Sequence, residues 1–525
     1  MQSVLFSAEP SVVLRNHFKN PTLDAISAAR TCYSSHIVLP EEISERQRVE
    51  VGRTTYEGGH HTVYQHQMFE FELDNVSRAF VHDFLHSHPF YNSSQQSQRY
   101  VRLDKPRVTI PPIEDTRNRR LFEETAALSW EKYNEITRIL IDDMSQTRKL
   151  PAMTATGRKK IEREILEKAM EAARYDLCIA AHTTLIHTID GVTLWRLYRL
   201  RNLSWEANIV FTKMAEQVRR VDPSFFENVD RERPLAMEET LEYRARRALG
   251  NSEDVARFKR EFDADLNGFR SKLIGWTSHA EDIVGEAVRQ VLGIPKDRMS
   301  DDDAIDYALS PAKNPYMLET LNLSVISPLM KTLNHAQYTF RKKLSHTADS
   351  QDQRHRTIPG SRPLTSFLDT READYITPEL IERNPVAAKI HHDWMKEIWE
   401  RKNQLLDDGI PVEYASYLLP NSVAVRFVET GSLLNLFPKF VNRSCLRAEE
   451  EIWQVTMEEI RQVQQVHPRF GKYLGPPCFV RKNVTNEFLA EEIGKVKYCN
   501  QGKLYCRQPV WNFYPNVTIE NILKV

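Results

Sequence analysis

The spacing of apolar and polar residues predicts a strand and then a helix early in the chain. Residues 68–73 alternate between apolar and acidic side chains, a pattern typical of a half-buried strand. Residues 75–88 then carry apolar side chains at helical spacing, and Ser77 stands where its hydroxyl could cap the helix. A polar run with the sequence QQSQRY follows at residues 95–100.

The polar run has the chemistry of a binding segment. Its serine, amides and arginine offer hydrogen-bond donors, acceptors and a fixed cation, which suit a phosphorylated ligand such as a nucleotide. A solvated polar loop would have the same composition, so the run taken alone leaves both interpretations open.

A weaker copy of this arrangement occupies the second half of the chain. Residues 327–340 have helical spacing and lead into the basic residues 341–343. When Arg354 is set against Arg99 without gaps, residues 341–343 fall on residues 86–88. We therefore predict an internal duplication, although a solvated helix end, favoured by the helix dipole, would also explain the basic residues.

Length and charge pattern predict the domain organisation. A chain of 525 residues is expected to form two or more domains. We predict a first domain at residues 1–229, with a helical insertion at about 117–168, and a charged helical linker at 230–265. The second domain spans residues 266–525, and the return of apolar spacing over residues 270–292 indicates its start.

Composition narrows the classes of function. The 71 basic and 72 acidic residues leave a net charge of −1, so no global field recruits nucleic acid or an anionic membrane. No apolar run approaches a membrane span, and the sequence contains neither a Rossmann glycine fingerprint nor a phosphate-binding loop. These features predict a cytoplasmic protein without nucleic-acid or membrane partners.

Six cysteines in a chain of this length do not predict a disulfide framework, which also favours a reducing cytoplasm. Cys478, Cys499 and Cys506, with His467 upstream, could close a structural zinc site. The spacings are long and no Cys-x-x-Cys knuckle is present, so buried thiols are the alternative, and we predict no metal ligand at the active site.

The order of short motifs along the chain resembles that of the flavin-dependent thymidylate synthase (ThyX) family. The motifs are His60-x-Thr62-x-x-Gln65-His66, Ser77-Arg78-Ala79 followed by His82, and Ser97-x-Arg99-Tyr100. The family's Arg-His-Arg triplet falls on residues 86–88, which lack both arginines, and residues 341–343 would supply basic side chains from the second copy. The chain is thus identified as a tandem-duplicated, divergent member.

The resemblance implies both a fold and a reaction. The fold is α+β, with two tandem ThyX-like domains, each a mostly antiparallel sheet flanked by long helices. The reaction is the methylation of dUMP to dTMP, a step of dTMP biosynthesis, catalysed by a flavoprotein transferase. Its cofactor is FAD, and methylenetetrahydrofolate and NADPH are co-substrates. The enzyme supplies no nucleophile, so no catalytic residue is expected.

The resemblance also implies which residues bind each ligand. The substrate-binding residues would be Gln95, Gln96, Ser97, Arg99, Tyr100 and Arg354. The cofactor-binding residues would be His60, Thr62, Arg78, His88, Arg341, Lys342 and Lys343. Family sites form between protomers of a homotetramer, so two fused copies would give the same ring as a homodimer.

Two other functions are compatible with the missing arginines. The chain could be a catalytically impaired homologue that binds flavin or nucleotide. It could also be a flavoenzyme that modifies C5 of another uracil nucleotide.

Overall fold

The computed structural model describes residues 5–148, 155–250, 253–319, 321–482, 498–499 and 501–524. Its strands are β1 (Ser11–His17), β2 (Met68–Ser77), β3 (Tyr91–Gln95), β4 (His182–Asp190), β5 (Ser271–Trp276), β6 (Gln337–Ser345), β7 (Gly360–Ser361) and β8 (Ala424–Ser432).

The α-helices of the first half and of the charged helical linker are α1 (Pro21–Thr31), α2 (Glu45–Glu57), α3 (Arg78–His86), α4 (Thr116–Thr147), α5 (Ala155–Ala173), α6 (Gly191–Arg199), α7 (Trp205–Val221), α8 (Leu241–Leu249) and α9 (Asp254–Leu266). Those of the second half are α10 (Ala280–Leu292), α11 (Asp301–Leu309), α12 (His346–Asp352), α13 (Glu379–Glu382), α14 (Pro385–Asp407), α15 (Val412–Ala415), α16 (Leu433–Arg443), α17 (Glu450–Val466), α18 (Pro468–Gly471), α19 (Pro477–Lys482) and α20 (Ile519–Leu523).

The two sheets share one topology. The strand order is β1-β2-β4-β3 in the first half and β5-β6-β8-β7 in the second, and every pair is antiparallel. Phe69, Phe71 and Leu73 of β2 are fully buried beneath helices, as their alternation predicted. The predicted α+β fold with two antiparallel sheets is confirmed.

The strand β2 is longer than its alternation indicates. It continues through a bulge, in which Asn75 takes a left-handed φ of 56°, and ends at Ser77. The helix predicted for residues 75–88 therefore begins only at Arg78. Ser77 caps this helix as predicted, because its Oγ accepts a hydrogen bond from the N–H of Phe80 at 2.9 Å.

The second half repeats this unit of strand, capping serine and helix. β6 ends at Ser345, whose Oγ accepts a hydrogen bond from the N–H of Ala348 at 3.1 Å. Each capping serine also donates its hydroxyl to a buried glutamate, Ser77 to Glu206 at 2.5 Å and Ser345 to Glu451 at 2.6 Å. These matching contacts give the residue-by-residue equivalence of the two halves.

The helix predicted for residues 327–340 is wrong. The segment forms short turns and then enters β6, in which every second residue from Tyr338 to Leu344 is fully buried. Lys342 takes one of these inward positions, and a lysine there hides the alternation that would have indicated a strand. Residues 341–343 therefore lie within a central strand, and their ungapped alignment with the end of α3 is wrong.

The two halves meet along a pair of crossed segments, residues 175–181 and 417–422, which we call the junction. The N–H of Ile179 donates to the carbonyl of Leu419 at 2.8 Å, and the N–H of Asn421 donates to the carbonyl of Leu177 at 2.8 Å. The second bond is the symmetry equivalent of the first. The halves are therefore related by a two-fold exchange of backbone contacts within one chain.

Buried tyrosines at the junction follow the same exchange. The hydroxyl of Tyr175 donates to Glu451 of the second half at 2.7 Å, and that of Tyr417 donates to Glu206 of the first half at 2.9 Å. Each capped unit is thus completed by a side chain from the opposite half.

One hydrophobic core spans both halves. Trp130 of α4 and Ile165 of α5 lie in the same cluster as Trp394 of α14. The insertion predicted at 117–168 corresponds to α4 and α5, and α13 to α15 take the same place between β7 and β8. Pro151, which lies between α4 and α5 in the sequence, is outside the described residues. Because this core is shared, the positions of the domain boundaries stay a prediction.

The charged helical linker packs onto the second sheet. Residues 230–265 contain α8 and most of α9, and Asp263 of α9 accepts hydrogen bonds from Lys343 and Arg426, each at 2.7 Å. Residues 270–292, where apolar spacing returns, form β5 and α10. None of the helices in the described part of the chain combines the length and apolar character that crossing a bilayer requires.

Candidate functional site

β4 fixes the position of the polar run beside the junction. The N–H of Gln96 donates to the carbonyl of Thr184 at 2.9 Å, directly after β3 ends. The Oγ of Ser97 accepts a hydrogen bond from the N–H of Arg99 at 3.2 Å, which closes a tight turn. The run is therefore an ordered turn and not an extended loop.

Arg99 joins the polar run to both halves. It forms an ion pair with the buried Glu171, and its Nη2 donates to the carbonyl of Arg447 in the second half at 3.1 Å. Its guanidinium also lies 5.3 Å from the ring centre of Tyr100, which is half exposed and does not pack behind the run. Burial would raise the pKa of Glu171, but Arg99 and Lys168 lower it to about 2.

Arginines from both halves converge around the run. This arginine cluster consists of Arg78, Arg99 and Arg174 from the first half and Arg354 and Arg443 from the second. The Nη2 of Arg78 donates to the carbonyl of Gln96 at 3.0 Å, and the Nη1 of Arg354 donates to the carbonyl of Ser93 at 3.1 Å. The two predicted residues Arg99 and Arg354 are thus brought to one site.

Two guanidinium nitrogens of the cluster have no hydrogen-bond partner among the described residues. They are Nε of Arg78 and Nη2 of Arg174, in side chains only 9% and 5% exposed. Burial, and then the charges of Arg174 and Arg354, lower the pKa of Arg78 to about 9. Because unpaired buried donors are costly, this arrangement favours an anion with several acceptor oxygens, such as a phosphate group.

A histidine pair on α3 contacts the second half. The Nε2 atoms of His82 and His86 lie 2.9 and 3.7 Å from one carboxylate oxygen of Asp349 on α12, and the three ligand atoms lie within 4.8 Å of one another. Arg362 also donates to Asp349 at 2.7 Å and neutralises it. Burial opposes a charge on His82, but Asp349 raises its pKa to about 9. The ion pair between His82 and Asp349 therefore links α3 of the first half to α12 of the second half.

Two further predicted residues, Gln95 and His88, make their contacts within the first half. The amide nitrogen of Gln95 donates to Thr183 at 3.4 Å, a weak contact. His88 packs against Phe84 and Tyr91, and burial lowers its pKa to about 4. His88 is therefore neutral at neutral pH and offers no charge to a phosphate.

His60 and Thr62 lie away from the arginine cluster. Both are exposed and precede β2, whereas Arg78 follows the opposite end of β2. A strand of this length spans roughly 30 Å. His61, beside His60, is a satisfied structural histidine, because its Nε2 lies 2.9 Å from the carbonyl of Tyr56.

The basic residues of β6 are occupied by the chain's own carboxylates. Arg341 pairs with Asp265, and Lys343 pairs with Asp263 at 2.7 Å. Lys342 points into the core and is fully buried among carboxylates. Their role in flavin binding stays a prediction, and these ion pairs weigh against it.

Sequence reasoning missed Arg174 and Arg443. Arg174 directly follows α5, and Arg443 is the last residue of α16. A basic residue ending an amphipathic helix normally indicates a solvated position that complements the helix dipole, so neither arginine carried a distinctive signal. Only the fold shows that both helix ends point at the polar run.

Comparison with known proteins agrees with the repeated architecture. The profile of the family described as "Thymidylate synthase complementing protein" (Thy1) matches residues 13–224 and again 272–469. These two matches cover most of the chain, one in each half.

Several relatives are flavin-dependent thymidylate synthases. The one from Sulfurisphaera tokodaii is 33% identical over 168 residues, which cover 31% of this chain and 65% of the relative, just under two thirds of its length. The one from Clostridium tetani is 31% identical over 222 residues, which cover 41% of this chain and 84% of the relative.

A solved structure of a UMP/dUMP methylase, PolB from Streptomyces cacaoi bound with 5-Br dUMP, aligns over 44% of this chain and 100% of its own. Its sequence identity is 16% and its TM-score is 0.34, too low to support an argument. The tandem profile matches show that this chain belongs to the Thy1 family, the flavin-dependent thymidylate synthases, as a duplicated and divergent member.

Proposed function

We propose that the chain is a thymidylate synthase-like transferase that methylates dUMP to dTMP, with FAD as cofactor and with methylenetetrahydrofolate and NADPH as co-substrates. The observation that carries this proposal is the arginine cluster beside the polar run. Its two unpartnered nitrogens, on Arg78 and Arg174, would donate to the 5′-phosphate of the nucleotide. Arg99 and Arg354 would complete the ring of donors.

The protein's part in this reaction is to bind and orient. Ser97 and Gln96 stand at the turn, where their side chains can reach the sugar or base while the arginines hold the phosphate. Glu171 keeps Arg99 charged and directed toward the pocket that both line with Tyr100 and Lys168. Fixing the nucleotide at two ends presents C5 in one orientation, which lowers the entropic part of the barrier.

The residues predicted to hold FAD fit that cofactor unequally. A bound flavin supplies hydride transfer between nicotinamide and the carbon being reduced. Arg78 offers a free donor and fits a phosphate group of a nucleotide cofactor equally well. Residues 341–343 are ion-paired within the chain, and His60 and Thr62 lie at the far end of β2, so we derive no step from these residues.

The distance between the ends of β2 supports an assembly of two chains. Within one chain, His60 and Thr62 cannot reach a ligand held by Arg78 roughly 30 Å away. We propose a homodimer, in which a second chain presents these residues to the site. Sedimentation should then give a mass near twice 61.2 kDa. A monomer that turns over dUMP would contradict the dimer.

The ion pairs of the basic residues 341–343 favour a second function, nucleotide binding without flavin chemistry. If residues 341–343 never release their carboxylates, the chain would bind nucleotide and lack flavin chemistry. A purified protein that binds dUMP, remains colourless after incubation with FAD, and fails to turn over would support this alternative. Turnover of another uracil nucleotide but not of dUMP would instead indicate altered specificity.

The proposed phosphate contact can be tested by substitution. A charge-assisted hydrogen bond contributes about 1.5–3 kcal/mol, so Arg99→Ala or Arg174→Ala should weaken dUMP binding roughly ten- to a hundredfold in calorimetric titrations. The uncharged nucleoside deoxyuridine should lose much less. Arg102→Ala is the matched control, because Arg102 is exposed and pairs with Asp104 outside the cluster. Equal losses for nucleotide and nucleoside would make both arginines structural.

A further inference from the structure

Four of the six cysteines line one pocket near the end of the chain. They are Cys445, Cys478, Cys499 and Cys506. Cys32 is exposed and Cys178 is buried in the shared core, so neither belongs to this group. All four thiols are free, and they line this pocket together with Pro476 and Pro477.

These cysteines come from separate parts of the chain. Cys445 lies between α16 and α17, Cys478 is in α19, and Cys499 and Cys506 belong to the described ranges 498–499 and 501–524. The segment 501–524 contains only short helical turns, and its apolar residues Val510, Val517 and Ile522 are buried in the core beside α17. The pocket therefore joins parts of the chain that are distant in sequence, and its four thiols provide the ligands for a cross-link between them.

A basic residue lines the same pocket. Arg447 stands two residues after Cys445 and lines the pocket together with the four cysteines. Four thiolates around a divalent ion carry a net charge of −2, which a neighbouring arginine partly offsets.

We propose that Cys445, Cys478, Cys499 and Cys506 together bind one structural zinc ion. Soft thiolate ligands in a set of four select zinc, which they surround tetrahedrally with no open position for substrate. Binding displaces the four thiol protons and involves no change of oxidation state. His467, the fourth ligand considered from the sequence, is replaced by Cys445, because its Nδ1 hydrogen-bonds the hydroxyl of Tyr338 at 2.8 Å.

The zinc site would also support the arginine cluster. Leu446 and Arg447 line both the cysteine pocket and the pocket of Arg99. The carbonyl of Arg447 accepts the hydrogen bond from Arg99, so the ligand Cys445 lies two residues from a group that positions this side chain. The metal would hold this loop in place and is not expected to contact substrate.

Metal analysis of the full-length protein, purified without chelators, tests the proposal. We expect about one zinc ion per chain by mass spectrometry. Cys478→Ser and Cys506→Ser should lose the bound zinc, whereas Cys32→Ser and Cys178→Ser should retain it. Anaerobic replacement by Co²⁺ should produce the intense thiolate charge-transfer and visible bands of a tetrahedral four-sulfur site, a readout that does not depend on enzymatic activity.

Three results would overturn the proposal. The first is wild-type protein that contains no metal and shows no thiolate band with Co²⁺ after full reduction. The second is a pair of disulfides among the four cysteines in freshly purified protein. The third is an iron–sulfur absorption spectrum, which would assign the cysteines to a redox cluster. If a serine variant fails to fold, the Co²⁺ titration of the wild type decides alone.

Discussion

The two halves fill the same five buried positions with opposite chemistry. In the first half these positions hold Leu73, Phe84, His187, Leu197 and Met214, and in the second they hold Lys342, Asp352, Glu429, Lys439 and Glu459. The equivalence follows from the sheet register and from equal distances to the capping residues of the matching helices. One scaffold therefore accepts an apolar cluster around a single histidine or a network of ions.

The five charged residues of the second half form close ion pairs with one another. Lys342 lies 2.9 and 3.0 Å from Glu429 and Glu459, and Lys439 lies 3.0 and 3.4 Å from Asp352 and Glu459. Three carboxylates face two ammonium groups, and burial, followed by the charge of Asp352, raises the pKa of Glu429. A proton on Glu429 would balance the network. The comparison shows that backbone pairing and the surrounding helices, not the chemistry of these five residues, specify this fold.

The largest effect should come from breaking the ion network. Lys342→Met leaves buried carboxylates without a counter-charge, which should lower the free energy of unfolding by about 3–5 kcal/mol. The matched change Leu73→Met, at the equivalent apolar position, should cost less than about 1.5 kcal/mol. Urea titrations of both variants measure the difference. Equal losses would mean that Lys342 contributes packing and not charge.

The tyrosines of the junction test whether the two exchanged contacts are equally strong. Tyr417→Phe removes one hydrogen bond to Glu206, and should cost about 1.5–3 kcal/mol. The one hydroxyl proton of Tyr175 is shared between two acceptors, Glu449 at 2.8 Å and Glu451 at 2.7 Å, so the loss in Tyr175→Phe should be larger. Thermal or urea unfolding would rank them. Identical losses would show that the second acceptor carboxylate of Tyr175 contributes nothing.

The pH dependence of stability should depend on Glu206 and Glu451, the buried glutamates that accept hydrogen bonds from the capping serines. Burial raises the pKa of Glu206 to about 7, above its unfolded value of 4.5. The folded chain therefore binds the proton more tightly, and stability falls as pH rises from about 4.5 to 7. Glu206→Gln mimics the protonated acid. It should match the wild type below this window and exceed it by about 3 kcal/mol above it.

Glu451 provides the comparison in the second half, since burial raises its pKa as well. Glu451→Gln should shift the profile in the same direction. A Glu206→Gln variant that is less stable at high pH than at low pH, relative to the wild type, would reverse the assignment.

The smallest effect is expected at Arg341. Its ion pair with Asp265 is partly exposed, so Arg341→Ala should change stability by only about 0.2–1 kcal/mol. Flavin occupancy, measured by absorbance, should stay unchanged if the pair is structural. Loss of flavin from a folded variant would restore the prediction made from the resemblance. Lys272→Ala, on the neighbouring strand, is a suitable control.

Sequence reasoning succeeded where local pattern and tertiary role agree. The alternation before Ser77, its cap and the order of motifs were sufficient to predict the first sheet, the duplication and the polar run. The prediction failed at Lys342, because a charged residue at an inward position breaks strand periodicity. It also missed Arg174, whose function depends on a helix end meeting a distant turn. Contacts between segments far apart in sequence leave no such local trace.

The crossed segments of the junction have a consequence for how this protein could change over time. Because both partners belong to one chain, their effective concentration is set by the covalent connection, and dilution does not separate them. In a dimer of identical subunits, every interface substitution appears in both subunits at once. The new residue must therefore be compatible with its own copy across the interface. Fusion removes that constraint, since a change in one half meets an unchanged partner. Gene duplication would thereby permit the buried residues of each half to change independently while the interface between the halves is kept.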